Sequence, residues 1–319
     1  MILVCSTERS VGAAAVWLRW NLSAVRSVSD RNSISMFDGD DEERSRHRQV
    51  NINPLTETYG ALARSLWDAE YQAMPIDRIN IVIPGLSVAD GYAIRREVDL
   101  LRMIDGAVPV GRKVGLATRS ALVRNSLDEP FWSYIFSSGE QSEGGTIDLR
   151  HYVQPRIEAE VAFVLAGDLD DPELTPEAAF TAVHSLQPAI EIIDVRTGNW
   201  DASAAESIAD SGLNAGFMLG ESLPNDGRID PNAITARIRT DRRGDTGPIG
   251  RTSDLLGGPL GILAWLARSL VASGEPLRAG EVVLTGTLTP PVMLEPGRSY
   301  TAEFAGFGEA LGIVRLVTR

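Results

Sequence analysis

The segment from residue 157 to residue 165 constrains the fold of this chain more than any other. It reads IEAEVAFVL, and the side chains of a β-strand point alternately to opposite faces. One face of this predicted strand is entirely apolar, whereas the other carries Glu158 and Glu160 followed by two apolar residues. Apolar residues on both faces indicate a strand that is covered on both sides. The two carboxylates are therefore expected to be partly buried, which is costly unless a cation or strong donors compensate for them.

A third glutamate repeats this pattern in the next predicted strand. Residues 189 to 193 read AIEII, which places Glu191 inside an otherwise apolar run. Three carboxylates with no nearby histidine or cysteine offer only hard oxygen ligands, a set that suits Mg²⁺ or Mn²⁺ better than zinc. The alternative is that the first two glutamates line a solvated edge while an arginine, Arg156 or Arg196, pairs with the third. The residue pattern leaves both interpretations open.

The basic residues single out one position. The chain has 319 residues and 30 basic side chains, of which 29 are arginine and one, Lys113, is lysine. The pKa of a lysine falls on burial, so that its ammonium can exchange protons near neutral pH, whereas a guanidinium cannot. Gly111 and Gly115 flank it and indicate a tight strand with close backbone approach. Lys113 is thus a candidate site residue, the alternative being one lysine retained by chance at the surface.

Composition excludes several classes of protein. The formal net charge of -13 disfavours nucleic acid and anionic membrane surfaces as partners, because both would be repelled. One cysteine, Cys5, excludes a disulfide framework, and three histidines are too few for a zinc site of the usual type. No apolar run approaches the roughly 20 residues that span a bilayer. We expect a cytoplasmic protein without membrane contact.

The chain is expected to divide after residue 53. Residues 1 to 53 are net neutral, and their second half is polar and rich in Ser, Arg and Asp, which predicts a disordered extension. Residues 54 to 319 interleave helix and strand patterns and predict a single catalytic domain of α+β structure.

Local patterns predict where several helices of this domain begin. Residues 56 to 72 have helical spacing, and Ser87 followed by Asp90 is a capping-box pattern at the start of a second helix. Pro176 begins another helix, which we expect to continue far enough to include His184 as a partly exposed residue.

Four segments together resemble one known family. They read GRKVGL, PRIEAEVAF, PAIEIIDVR and LTGTLT and begin at residues 111, 155, 188 and 284. In this order and spacing they resemble the 2-keto-4-pentenoate hydratases and 4-oxalocrotonate decarboxylases of the fumarylacetoacetase superfamily, over residues 54 to 319. The resemblance implies the fumarylacetoacetase C-terminal-like fold, a mixed β-roll with flanking helices, and a lyase of aromatic catabolism.

The resemblance also implies a set of site residues. It implies a Mg²⁺ or Mn²⁺ cofactor held by Glu158, Glu160 and Glu191, and an active-site lysine at Lys113. It further implies a turn that receives the carboxylate of a small 2-oxo or 2-hydroxy acid substrate, formed by Thr285, Gly286 and Thr287. As partners it implies further copies of the same chain in a homo-oligomer, together with a sister decarboxylase or hydratase in some members.

One turn departs from the hydratase pattern. Hydratases of the family carry an acid and a glycine shortly after the lysine, where this chain has Phe131 and Ser133. Water activation then requires a substitute acid, for which Asp128 and Glu129 are the candidates, and Phe131 becomes a candidate substrate contact.

The function that we expect first is that of a hydratase. The alternatives are a 4-oxalocrotonate-type decarboxylase, because an apolar residue in this turn favours loss of a second carboxylate, and a non-catalytic partner subunit of such a complex.

Overall fold

The structure is a computed structural model, and it describes residues 54–308 and 312–319. The predicted disordered extension at 1 to 53 lies outside the described residues. The described residues belong to the compact unit Asn53–Arg319. No helix in this part of the chain is long and apolar enough to cross a membrane.

Four of the helices that the structure describes begin after a residue whose side chain caps them. In chain order they are α1 (Pro54–Gln72), α2 (Ile79–Val82), α3 (Val88–Ile104), α4 (Arg119–Asn125), α5 (Pro176–Thr181), α6 (Ala204–Ala209) and α7 (Gly258–Ala272). The predicted capping box is present at α3, since the Ser87 side chain accepts from the backbone N–H of Asp90 while the Asp90 side chain accepts from that of Ser87. Thr175 caps α5 through its side chain.

The strands form one large and one smaller sheet. They are β1 (Pro109–Gly115), β2 (Phe131–Phe136), β3 (Glu140–Gln141), β4 (Thr146–Ile147), β5 (Arg156–Leu165), β6 (Val183–Ile193), β7 (Asn214–Leu219), β8 (Leu223–Pro224), β9 (Thr235–Thr240), β10 (Ile249–Arg251), β11 (Val282–Leu284), β12 (Val292–Met293), β13 (Ser299–Ala305) and β14 (Gly312–Thr318). The larger sheet has the order β2-β1-β11-β5-β6-β7-β3, with β12 beside β5 and β8 beside β6. The smaller sheet has the order β10-β9-β13-β14-β4. Mixed sheets with separate helices confirm the α+β prediction.

Strand β5 lies at the centre of the larger sheet and is covered on both faces, as its sequence predicts. Ile157, Val161 and Phe163 are fully buried in a core that they share with α7 and with strands of the smaller sheet. On the opposite face Ala162 packs in a second cluster with Phe217. The polar residues of that second face are therefore enclosed rather than placed at a solvated edge.

The strand register decides where the three glutamates meet. Strands β5 and β6 pair antiparallel, with Glu158 directly opposite Glu191 and Glu160 opposite Ala189. Residues two apart share a face of a strand, so all three carboxylates emerge on the same side. Strand β11 pairs with β5 on its other edge and with β1 beyond it, where Leu284 is the register partner of Lys113.

The helical position expected for His184 is wrong, although its side chain is exposed. Helix α5 ends at Thr181, and His184 lies in strand β6 with an exposed side chain. Its neighbour Ser185 pairs with Val164 of β5 and with Pro224 of β8. Pairing along both edges of the strand outweighs the helical spacing that the local sequence shows.

We predict that Gly111→Ala strongly destabilises the domain. A Cβ at this position would lie 1.9 Å from the carbonyl oxygen of Val282, the register partner of Gly111 on β11. Because backbone cannot yield as a flexible side chain does, we expect the free energy of unfolding to fall by about 3 kcal/mol. Urea unfolding followed by circular dichroism measures this change.

The matched control is Gly60→Ala in α1. A Cβ there would meet nothing within 4 Å, and alanine is favoured over glycine inside a helix by about 1 kcal/mol. This variant should be slightly more stable than the parent chain. Equal unfolding midpoints for the two variants would contradict the prediction.

Candidate metal centre

The three glutamates predicted from the strands converge in the structure. Glu158, Glu160 and Glu191 each offer a carboxylate oxygen, and these atoms all lie within 4.8 Å of one another. The residues are 9%, 1% and 0% exposed. The interpretation of the first two as residues of a solvated edge is therefore wrong. We refer to these three side chains as the carboxylate cluster.

Two neutral donors support the carboxylate cluster. The Asn214 side-chain amide, at the start of β7, donates a 2.8 Å hydrogen bond to Glu191 Oε1. The backbone N–H of Gly286 donates one of 2.8 Å to Glu160 Oε2. Sequence reasoning missed Asn214, although a polar residue that opens a buried strand could have drawn attention to it.

Lys113 approaches the same group from β1. Its Nζ lies 3.2 Å from Glu191 Oε1, and the residue is 4% exposed. The alternative, a lysine retained by chance at the surface, is therefore wrong. Burial by itself lowers the pKa of Lys113, but the carboxylates of Glu191, Glu158 and Glu160 outweigh it, so the pKa is raised. The expectation of a lowered pKa is thus wrong for this charge arrangement, because it did not include three neighbouring anions.

The arginine partners considered for Glu191 lie elsewhere. The guanidinium of Arg156 stacks over the ring of Trp200, 3.9 Å from its centroid. Arg196 binds Glu70 at 3.0 Å and donates to backbone carbonyls. Glu191 is therefore held by Lys113 and Asn214.

Burial and mutual repulsion shift the titration of the carboxylate cluster. Burial first, and the Glu191 charge second, raise the pKa of Glu158 to about 8. The same causes raise the pKa of Glu160 well above its ordinary value. Both groups therefore release their protons less readily than exposed carboxyls do. A divalent cation would remove the repulsion and take the place of those protons.

The turn at residues 285 to 287 lies against the carboxylate cluster. Thr285 is buried and its hydroxyl donates to the backbone carbonyl of Val161 at 2.9 Å. Gly286, whose N–H donates to Glu160, has a φ of +104°, and the Thr287 hydroxyl donates to the Thr289 carbonyl at 2.7 Å. The role of this turn in binding a substrate carboxylate stays a prediction.

A small group of residues encloses the Lys113 side chain. Its Nζ lies 5.7 Å from the centroid of the Phe131 ring. Ser133 is its register partner on β2, and Gly212 packs over the lysine with a φ of +64°. The structure thus brings Phe131 to the candidate site, while the contribution of Gly212 could not be read from the sequence.

The two candidate acids lie apart from this group. Asp128 and Glu129 are both exposed, in the turn that precedes β2. The Glu129 carboxylate accepts a 3.3 Å hydrogen bond from the indole of Trp265, on α7. Among the contacts of the described residues, none links either acid to Lys113 or to the carboxylate cluster. Their role in water activation stays a prediction.

Comparison with known proteins identifies the family. The sequence profile of the fumarylacetoacetate (FAA) hydrolase C-terminal family matches residues 114–315. The chain belongs to this family. It is 32% identical over 246 residues to the 2-keto-4-pentenoate hydratase of Paraburkholderia xenovorans strain LB400, covering 77% of this chain and 91% of that hydratase. This membership confirms the resemblance seen in the sequence.

A decarboxylase is also similar to this chain in sequence and in fold. The 4-oxalocrotonate decarboxylase of Pseudomonas putida is 28% identical over 78% of this chain and 93% of its own length. The solved structure of the 4-oxalocrotonate decarboxylase from Pseudomonas putida G7, complexed with magnesium and adipate, matches with a TM-score of 0.77 and 25% identity, over 82% of this chain and 98% of that one. This match confirms the predicted fold.

We predict that Gly212→Ala disturbs the enclosure of Lys113. A Cβ at residue 212 would lie 2.8 Å from Ser133 Oγ, 2.9 Å from Lys113 Cε and 3.0 Å from the Phe131 ring. The left-handed backbone alone costs an alanine about 1 to 2 kcal/mol, and the overlap adds about 1 to 3 kcal/mol. Urea unfolding measures the sum.

Gly85→Ala separates these two contributions. Gly85 has a φ of +75° and nothing within 4 Å of the added Cβ, so only the backbone cost applies. The loss of unfolding free energy should be clearly larger for Gly212→Ala. Equal losses would show that the space around Lys113 can accommodate a methyl group.

Proposed function

We propose that this protein is a metal-dependent lyase that acts on a small 2-hydroxydienoate or 2-oxo acid. The observation that carries the proposal is the convergence of three buried carboxylates within 4.8 Å, with the ammonium of Lys113 3.2 Å from one of them. Buried acids are seldom left without compensation. The named relatives, a hydratase and a decarboxylase, are both lyases.

The residues present fit a hard divalent cation. Glu158, Glu160 and Glu191 supply oxygen ligands only. Burial and mutual repulsion raise the pKa values of Glu158 and Glu160, and a bound cation would lower them again. We propose Mg²⁺ or Mn²⁺ as the ion. When bound, the ion would supply Lewis-acid stabilisation of the enolate or dienolate form of the substrate.

The remaining residues would bind the substrate and move its protons. Thr285, Gly286 and Thr287 form the turn proposed to receive the substrate carboxylate. Lys113 would hold or transfer a proton at the enol oxygen through its Nζ. Burial of the lysine and of the carboxylate cluster excludes water from the reacting atoms, which strengthens every charge interaction there.

Hydration of 2-hydroxypenta-2,4-dienoate is the proposed reaction, with decarboxylation as the second candidate. The higher identity to the hydratase, 32% against 28%, supports hydration. The Phe131 ring beside Lys113 and the exposed positions of Asp128 and Glu129 favour decarboxylation, because an apolar surface destabilises a second carboxylate and promotes its loss. We propose residues 54 to 319 as the catalytic domain, working in the cytoplasm as a homo-oligomer.

The two reactions are distinguished by an ultraviolet assay with Mg²⁺ or Mn²⁺ in the buffer. We expect consumption of 2-hydroxypenta-2,4-dienoate, and loss of that activity after treatment with EDTA. Release of carbon dioxide from 4-oxalocrotonate would assign the second reaction instead. A chain that binds the metal but transforms neither substrate would fit a non-catalytic partner subunit and overturn the proposal.

We predict that Glu158→Gln weakens metal binding by about a hundredfold or more, because the cation loses a charged oxygen ligand. Isothermal titration calorimetry with Mn²⁺ measures the affinity. Glu303→Gln is the matched control, since Glu303 lies in a strand of the smaller sheet and pairs with Arg239. Unchanged affinity in Glu158→Gln would exclude this glutamate as a ligand.

We also predict that Lys113→Arg abolishes turnover while metal binding persists. Arginine keeps the positive charge, but its guanidinium is effectively always protonated and cannot take part in proton transfer, so kcat should fall by about 100-fold to 10,000-fold. Steady-state kinetics and Mn²⁺ calorimetry on the same preparation separate the two effects. A variant with nearly full kcat would rule out proton transfer by Lys113.

A further inference from the structure

The candidate site contains a hydroxyl without a partner. Ser133 in β2 is 0% exposed, and its Oγ has no hydrogen-bond partner among the described residues. An unsatisfied buried hydroxyl is unfavourable, and alanine would occupy the same space without that penalty. A hydrogen-bond partner that reaches Ser133 Oγ only in another state of the site would explain why this position is a serine.

Ser133 and Lys113 share one small enclosed space. They are register partners on adjacent antiparallel strands, so their side chains emerge side by side on the same face. Gly212 covers both, since a Cβ there would lie 2.8 Å from Ser133 Oγ and 2.9 Å from Lys113 Cε. The end of the lysine chain thus lies near the hydroxyl while Nζ turns away toward Glu191.

A divalent cation would compete with the ammonium for Glu191. Nζ lies 3.2 Å from Glu191 Oε1, and two cations beside the same carboxylate repel each other strongly in a buried site. Rotation about the last carbon–carbon bond of a lysine moves Nζ and leaves Cε in place. The Phe131 ring, 5.7 Å from Nζ, can stabilise a positive charge on that side of the lysine but offers no lone pair.

We propose that Ser133 is the positioning residue of Lys113. When a divalent cation occupies the carboxylate cluster, the ammonium leaves Glu191 and donates a hydrogen bond to Ser133 Oγ. This inference rests on the proposed function, since it requires the cation. The hydrogen bond provides the Ser133 hydroxyl with a partner. It also holds Nζ beside the substrate rather than against Glu191.

The single lysine of the chain makes the movement observable. Isotope-labelled lysine gives one side-chain signal in NMR spectra of the full-length protein, because Lys113 is the only lysine. We expect added Mg²⁺ to shift the Nζ signal and to slow exchange of the ammonium protons. In Ser133→Ala that exchange should be about tenfold faster, because one hydrogen bond is lost. Ser133→Thr, which keeps the hydroxyl, should restore the parent behaviour.

Ser185→Ala is the matched control. Ser185 is a buried serine, 2% exposed, six residues along β6 from Glu191 and about 20 Å away at the rise of a strand. It should leave the lysine signal unchanged. Identical lysine signals in Mg²⁺-bound parent and Ser133→Ala proteins would overturn the inference.

Stability and kinetics separate positioning from a structural role. Without metal, Ser133→Ala should unfold at the same temperature as the parent or higher, because it removes an unsatisfied hydroxyl. Its kcat should fall about tenfold with KM unchanged within about twofold. A lower melting temperature without metal, or a raised KM with unchanged kcat, would instead make Ser133 a structural or substrate-binding residue and overturn the inference.

Calorimetry distinguishes this inference from the proposed function. If the parent protein does not bind Mg²⁺, the proposed function fails and this inference fails with it. If Mg²⁺ binds and the lysine signal does not respond, only the inference fails.

Discussion

Three carboxylates within 4.8 Å of one another repel each other and have each lost most of their hydration. Much of the surrounding structure reduces that cost. Lys113 places a positive charge against Glu191, while Asn214 and the Gly286 N–H each donate a hydrogen bond to the carboxylate cluster. These donors come from β1, from β7 and from the turn after β11. These three elements therefore all contribute to compensating the same buried negative charge, that of the carboxylate cluster.

The two faces of β1 use different cations for different tasks. Arg112 points away from the carboxylate cluster, where its guanidinium lies 3.8 Å from the centroid of the Tyr134 ring and 3.1 Å from Glu281. A planar guanidinium suits stacking together with ion pairing, whereas the compact ammonium of the next residue fits a narrow enclosed site. At these two adjacent positions, each cation therefore suits the space and the partners on its own face of the strand.

The features that could be predicted are those recorded in local patterns. Alternation of apolar and acidic residues identified the buried strand with its glutamates, and the capping box located α3 at Ser87. The structure differs from the sequence-based predictions where tertiary contacts determine the local conformation. His184 joins a strand because β6 is paired on both edges, and the exposure of Asp128 depends on the direction in which a turn points. Asn214 belongs to the same class, since its importance arises only from the position of Glu191.

The turn that leads from α6 to β7 has an unusual backbone. Ser211, Gly212 and Leu213 all have positive φ, at 54°, 64° and 65°, and two of them are not glycine. Such residues cost about 1 to 3 kcal/mol each and persist only where the surroundings hold them. Here the side chain of Arg102 donates a 2.6 Å hydrogen bond to Ser211 Oγ. Helix α3, remote in sequence, therefore helps to keep this turn in a high-energy conformation, and this strained backbone lies directly against the Lys113 side chain.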